Sequence, residues 1–267
     1  MSSSTTQLSI YCRKNIPFLT KEDKALRARE IIRETGLRVI PIFDDVSRKK
    51  TIGIVRRIDL LNISSTKSNL RVLDIMSTDY LSFRDSDDII EALKTMLKRG
   101  EWYSIVEEKT GEFKGVFGLE NGLKFFMDQG SRSLSAPLRE FYTPNPIYVQ
   151  EDELISRVWY LMLKHQYAGF PVLNRKGELV GAITQHDLLR KGYTRPVLES
   201  PSPPKKVLVR EAMTTPPIAL PPDSPLSEAV SLMLKKDIGR VYVSEGKKLV
   251  GVIDREDAVK AILSFQL

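Results

Sequence analysis

Four short blocks, each opening on glycine and closing on Asp or Asn, recur along this chain at nearly constant spacing. They read Gly-Ile-Val-Arg-Arg-Ile-Asp from Gly53, Gly-Val-Phe-Gly-Leu-Glu-Asn from Gly115, Gly-Ala-Ile-Thr-Gln-His-Asp from Gly181 and Gly-Val-Ile-Asp-Arg-Glu-Asp from Gly251. Successive glycines lie 62, 66 and 70 residues apart. The seventh position is Asp59, Asn121, Asp187 and Asp257 in turn. A unit of this length repeated four times argues against one large enzyme fold and for four similar sites on a symmetric scaffold.

The last unit shows the pattern most clearly. Asp223-Ser224-Pro225 supplies a helix start, with a capping residue and a proline suited to the first turn. Leu226, Ala229, Val230, Met233 and Leu234 then form the stripe of an amphipathic helix. Arg240 to Val243 and Leu249 to Ile253 read as two strands around a Glu245-Gly246-Lys247 turn, and Asp254 to Leu263 reads as a closing helix. The second and third units repeat this order. From the opening residues Met76, Tyr142 and Met213 to the block glycine of the same unit is 39, 39 and 38 residues. The first unit has a thinner helical face at Ala28, Ile31 and Ile32 and a longer turn over 44–50. Residues 128–137 read as a linker between two halves, and the proline-rich 193–206 as a loop between the third and fourth units.

Composition narrows the setting. With 42% hydrophobic and 28% charged residues over 267, the chain is of globular type. Its apolar runs are too short to span a bilayer, and its Ser/Thr-rich start lacks the pattern of a signal peptide. One cysteine, Cys12, makes neither an internal disulfide nor a zinc site. A cytoplasmic protein is the expectation. The net charge of +7 favours anionic partners without choosing among nucleotides, nucleic acid and acidic surfaces. His165 and His186, the only histidines, stand in no metal-binding pattern, and His186 reads as a surface residue. Trp102 and Trp159 read as packing residues.

Together these features resemble the cystathionine β-synthase (CBS) domain family, over about residues 10 to 266. The resemblance implies an α/β fold of four CBS domains, at 10–66, 70–128, 136–193 and 207–266. They would pair as two Bateman modules that can form a flat disc, similar in layout to the γ subunit of AMP-activated protein kinase. It implies a non-enzymatic regulatory protein that binds AMP, ADP, ATP or S-adenosylmethionine between paired domains and signals to a protein partner or a second copy. The family signature, Gly-h-h-Thr/Ser-x-x-Asp with h apolar, is complete only in the third unit, through Gly181, Thr184 and Asp187. There the carboxylate suits the two hydroxyls of a ribose. By the same resemblance, ribose contacts extend to Asp254 and Asp257 in the fourth unit and Asp59 in the first. Gly118 and Asn121 leave the second unit the weakest. Adenine would lie near Pro146, Ile147, Pro217 and Ile218, and phosphate near Arg240, Arg38 and His165.

A plainer reading competes, because Thr184-x-x-Asp187 and Asp254-x-x-Asp257 also make helix caps. An alternative function, nucleic-acid or polyphosphate binding by the basic surface, would show as steep salt dependence. No P-loop, nucleophile–base pair or metal cluster supports an enzyme.

Overall fold

In this computed structural model, which describes residues 6–47, 49–61, 69–193 and 206–265, each block glycine marks a crossing of two units. The third and fourth units show how one unit is built. Strands Val149–Gln150, Gly169–Leu173 and Leu179–Thr184 flank helix Ile155–His165 and lead into helix Gln185–Arg190. In the fourth, strands Ala219–Leu220, Arg240–Glu245 and Lys248–Asp254 flank helix Leu226–Lys235 and lead into helix Arg255–Ser264. The first strand pairs parallel to the second, and the second and third form an antiparallel hairpin. The first and second units repeat this on hairpins Val39–Phe43/Thr51–Arg56 and Tyr103–Glu107/Phe113–Gly118.

The helices form where the apolar stripes stand. Leu226, Ala229, Val230 and Met233 are all fully buried. Burying a large apolar side chain contributes about 1.5–3 kcal/mol relative to exposure, so this stripe holds the helix on its sheet. The first helix of every unit leads into a left-handed residue: Gly36, Gly100, Gln166 and Asp237, with φ of 69°, 66°, 56° and 48°. Glycine suits two of these turns, while Gln166 and Asp237 accept the strain of that conformation.

Each unit's opening segment leaves its own unit and lies across the final strand of its neighbour. Ala182 N–H donates to Thr214 O at 3.0 Å, and Thr214 N–H donates to Ala182 O at 2.8 Å. Ile54 and Ser77 exchange the same two bonds at 2.9 and 2.8 Å, and Val116 and Arg13 at 3.0 and 2.8 Å. Thr143–Pro144 pairs with Val252 and Gly251. The crossing passes directly over the block glycine. A Cβ on Gly115 would lie 2.6 Å from Arg13 O, one on Gly53 2.9 Å from Ser77 O, and one on Gly181 2.7 Å from Met213 Sδ. On Gly251 it would run into the Tyr142 ring. Units one and two are therefore interlocked, as are three and four.

Helices join the two modules. One core holds Ile32, Leu60 and Leu61 of the first unit with Val158, Met162 and Leu188 of the third. Another holds Leu93, Leu123 and Phe126 of the second with Met233, Val259 and Ile262 of the fourth. The four units thus close a ring in the order one, two, four, three. Residues 128–137 are no free linker: Ser133 and Leu134 are buried, and Leu138 N–H donates to Ser224 O at 2.9 Å. The segment is pinned on the fourth unit because its apolar residues complete that unit's core. Most of 193–206 lies outside the described residues. No helix of the described residues is long and apolar enough to cross a membrane.

The crossing can be tested where backbone meets backbone most closely. Gly115→Ala places a methyl against a backbone carbonyl that cannot turn away. It should lower stability by about 1–3 kcal/mol, read as a fall in the urea midpoint. An unchanged midpoint would show that the opening segment does not lie there.

Candidate functional site

The recurring Asp or Asn has one role in all four units. The backbone N–H three residues earlier donates to its side chain: Arg56 to Asp59 Oδ2 at 2.7 Å, Gly118 to Asn121 Oδ1 at 2.8 Å, Thr184 to Asp187 Oδ2 at 2.9 Å, and Asp254 to Asp257 Oδ2 at 3.1 Å. One side-chain oxygen closes the start of each final helix, and an amide oxygen serves as well as a carboxylate. Capping therefore accounts for the repeated residue. Anything further must come from what surrounds it.

Among the described residues, only in the third unit does the second oxygen also meet a hydroxyl. The Thr184 hydroxyl donates to Asp187 Oδ2 at 2.6 Å, and the Thr214 hydroxyl, from the fourth unit, donates to Oδ1 at 3.0 Å. Asp187 is only 6% exposed, so its orientation is set from both sides of the module. Beside it the Arg240 guanidinium reaches out of the fourth unit and donates to Gly169 O, on the residue paired with Thr184. The third unit has Gly169 where the fourth has Arg240, and the cation absent at that position is thus supplied by its neighbour. Linear reading assigned Arg240 to its own unit, where it stands opposite Asp254, and could not see this reach. Thr214 was missed for the same reason.

The other three positions are built differently. In the first unit Ser77 stands where Thr214 stands, but its hydroxyl donates to Asp79 O at 3.0 Å, and Arg56 pairs with Glu101 at 3.0 Å. Burial pushes the Asp59 carboxyl above its ordinary range, against the Arg56 N–H and charge. Between the first and second units a groove of about 270 Å³, partly open to solvent, runs between Arg13, Ile16, Arg38, Tyr103 and Glu120. It is not at the Thr184–Asp187 pair. Chemistry rather than volume selects the third cleft, since Gly118 and Asn121 offer neither hydroxyl nor carboxylate. In the fourth unit Asp254 accepts Glu256 N–H at 2.9 Å and Asp257 N–H at 3.0 Å, placing two acids together. Burial first, and then the charge of Asp254, push the Asp257 carboxyl up to about 7.

The remaining candidates fall in distinct places. Pro146 and Ile147 lie between strand 143–144, on the fourth unit's sheet, and strand 149–150, on the third's. Pro217 is half-buried, and Ile218 packs into the helical core of the second and fourth units. His165 ends its helix, its ring tilted against that of Tyr167 with centroids 5.7 Å apart, and no contact among the described residues joins it to Asp187. Arg38 is drawn across the ring to the fourth unit, where it pairs with Asp237 Oδ1 at 2.7 Å and with the Asp237 carbonyl. Asp237 also takes Arg255 at 3.0 Å, and Arg255, fully buried, pairs with Glu120 of the second unit at 2.8 Å. His186 is no surface residue. It is half-buried near Gly36 of the first unit, and burial first, then Arg57, hold its pKa below the ordinary value. Trp102 and Trp159 do pack: their indole N–H groups donate to Glu256 at 3.0 Å and to Leu61 O at 3.1 Å.

The CBS domain family matches this chain four times, over residues 9–65, 72–128, 138–193 and 209–264. The chain belongs to that family. A Methanocaldococcus jannaschii crystal structure described as a proposed archaeal homologue of γ-AMPK superposes with a TM-score of 0.82 at 18% identity, over 96% of this chain and 99% of that one. An uncharacterized protein of Pyrococcus horikoshii superposes with a TM-score of 0.65 at 19% identity, over 96% and 100%. By sequence, a zinc metalloprotease of M. jannaschii is 35% identical over 130 residues, 48% of this chain and 33% of that protein. An uncharacterized protein of the same organism is 24% identical over 95% of this chain and 61% of its own length. The chain thus spans one third to three fifths of these two curated relatives. Among the described residues, no group of three or more His, Cys, Asp or Glu is placed to hold a metal ion. CBS-domain proteins are typically regulatory and nucleotide-binding.

Two electrostatic features are measurable. Removing Arg255 leaves Glu120 buried without its partner, so Arg255→Met alone should cost about 3–5 kcal/mol, and the double change with Glu120→Leu should cost less than the single one. Urea melts of both variants give the coupling. For Asp257, the folded carboxyl keeps its proton between the ordinary 3.8 and about 7. The native state binds more protons than the unfolded one in that window, so this group's contribution to stability falls as pH rises and is lowest above 7. Asp257→Asn keeps the capping oxygen. It should raise stability over the wild type at pH 8 by on the order of 1 kcal/mol and change it little at pH 4, as thermal melts at the two values will show.

Proposed function

We propose that this chain is a non-enzymatic sensor that binds an adenine nucleotide (AMP, ADP or ATP) in the cleft between its third and fourth units. Asp187 would receive the ribose diol, Arg240 the phosphate, and Pro146 and Ile147 would border the adenine. The observation that carries this reading is the Asp187 carboxylate, oriented by hydroxyls from two different units. A ligand bound there contacts both halves of the module at once. It can then shift their relative position, provided it binds one arrangement more tightly than the other. The ring passes such a shift through shared helical cores to the first module, for a protein partner or a second copy to read. The setting is cytoplasmic in this proposal. Asp59 and the Asp254–Asp257 pair would hold ribose less well, the first for lack of a facing hydroxyl from Ser77 and the pair because it retains a proton near neutrality.

Isothermal titration with AMP, ADP and ATP tests this. The wild type should bind one of them with micromolar affinity, and Asp187→Ala should weaken that binding at least tenfold, by loss of a charge-assisted pair of hydrogen bonds. No binding by the folded wild type would reduce Thr184 and Asp187 to helix caps.

A further inference from the structure

Arg38 and Asp237 make a contact that skips the ring order, since the first and fourth units are not neighbours in it. Arg38 donates to Asp237 Oδ1 at 2.7 Å and to the Asp237 carbonyl. Arg255 donates to the same Oδ1 at 3.0 Å, and Oδ2 takes no partner among the described residues. The Asp237 side chain is 56% exposed, whereas Arg38 is 14%, Glu120 12% and Arg255 not exposed at all. Asp237 is thus the most exposed charge of the set, held through one oxygen. It also stands on a turn at φ 48°, where the first and second units place Gly36 and Gly100.

Arg38 is at the same time a wall of the groove between the first and second units. Leu37, Val39 and Val116 make that groove apolar on one side, and Arg13 and Arg38 supply its cations. Its one carboxylate, Glu120, is taken by Arg255 at 2.8 Å, and Arg13 has no ion pair among the described residues. Gly118 and Asn121 give it no carboxylate for a ribose diol, so its chemistry suits a phosphoryl group rather than a nucleoside. A guanidinium presents two parallel N–H groups, which two oxygens of one phosphoryl group can accept together. Asp237 meets them with one carboxylate oxygen and one neutral carbonyl, the weaker arrangement.

We infer that the groove between the first and second units is a binding site for a phosphoryl group, and that the Asp237 carboxylate is its built-in competitor, occupying Arg38 until such an anion displaces it. The exposure of Asp237, its single engaged oxygen and its unfavourable turn make it the member of the set that can leave. Arg255 keeps Glu120 when it does, so no buried charge is stranded. The inference is independent of the nucleotide reading at Asp187.

Asp237→Asn removes the competing charge and suits the turn, because asparagine tolerates the left-handed region. Titrated calorimetrically with inorganic phosphate at fixed ionic strength, this variant should bind at least tenfold more tightly than the wild type. Asp237→Gly, which copies the turns of the first and second units, should show the same gain and serves if the asparagine variant folds poorly. Adding Arg38→Met to Asp237→Asn should abolish the gain, which separates this groove from Arg240 in the third cleft. Phenyl phosphate identifies the source of the phosphoryl group. Tighter binding than inorganic phosphate assigns the apolar wall to an organic phosphate, equal binding assigns the groove to the free ion, and either result supports the site. Equal phosphate affinity in the wild type and both Asp237 variants overturns the inference, as does a folded pair of variants that bind no phosphate. A gain that survives Arg38→Met overturns it too, by placing the anion elsewhere.

Discussion

The rest of this molecule depends on a steric condition met four times: a backbone segment from one unit must lie flat on the last strand of another. That approach is possible only where the underlying residue has no Cβ. It brings Arg13 O, Ser77 O and Thr214 O to 2.6–3.0 Å from where a Cβ would stand on the block glycines, and the Tyr142 ring closer still. Once the segments cross, each sheet is completed by its neighbour and the pair becomes the cooperative unit. The crossing also sets the chemistry, since it carries Thr214 to Asp187 and fixes which residues of the fourth unit face the third.

A second layer of constraint acts where the modules meet. Arg38, Arg255, Asp237, Glu120 and Tyr103 come from three units and form one connected set. Taking such charges out of water is costly, and their mutual attraction offsets that cost only in one geometry. The set therefore defines how the modules sit more than it adds stability. Asp237 shows the preference for arrangement over comfort: the first and second units use glycine at this left-handed turn, whereas here a carboxylate is held at φ 48° to bridge two arginines.

Much of the fold was legible because it follows from local rules. Helical stripes such as Leu226 to Met233 and hairpins around Gly177 and Gly246 express periodicity and turn chemistry that act within a dozen residues. The weaker readings share one cause. Arg240, Arg38 and His186 were judged by their neighbours in the chain, yet each side chain reaches into another unit, as far as 199 residues away for Arg38 and Asp237. Residues 128–137 looked like a linker because polarity marks loops, while Ser133 and Leu134 are buried by contacts no composition reveals.

The sequence by itself determined the repeat, its α/β unit, the block glycines and the capping residue at every closing helix, because spacing and side-chain size act locally. It also singled out Thr184 and Asp187 as the one complete signature. Only the tertiary structure decided that Thr214 and Arg240 belong beside them, and that Arg38 is engaged elsewhere. The physical reason is that opening segments are exchanged between units: the groups around Asp187 come from two repeats, and the pairing that joins them is made in space, not along the chain.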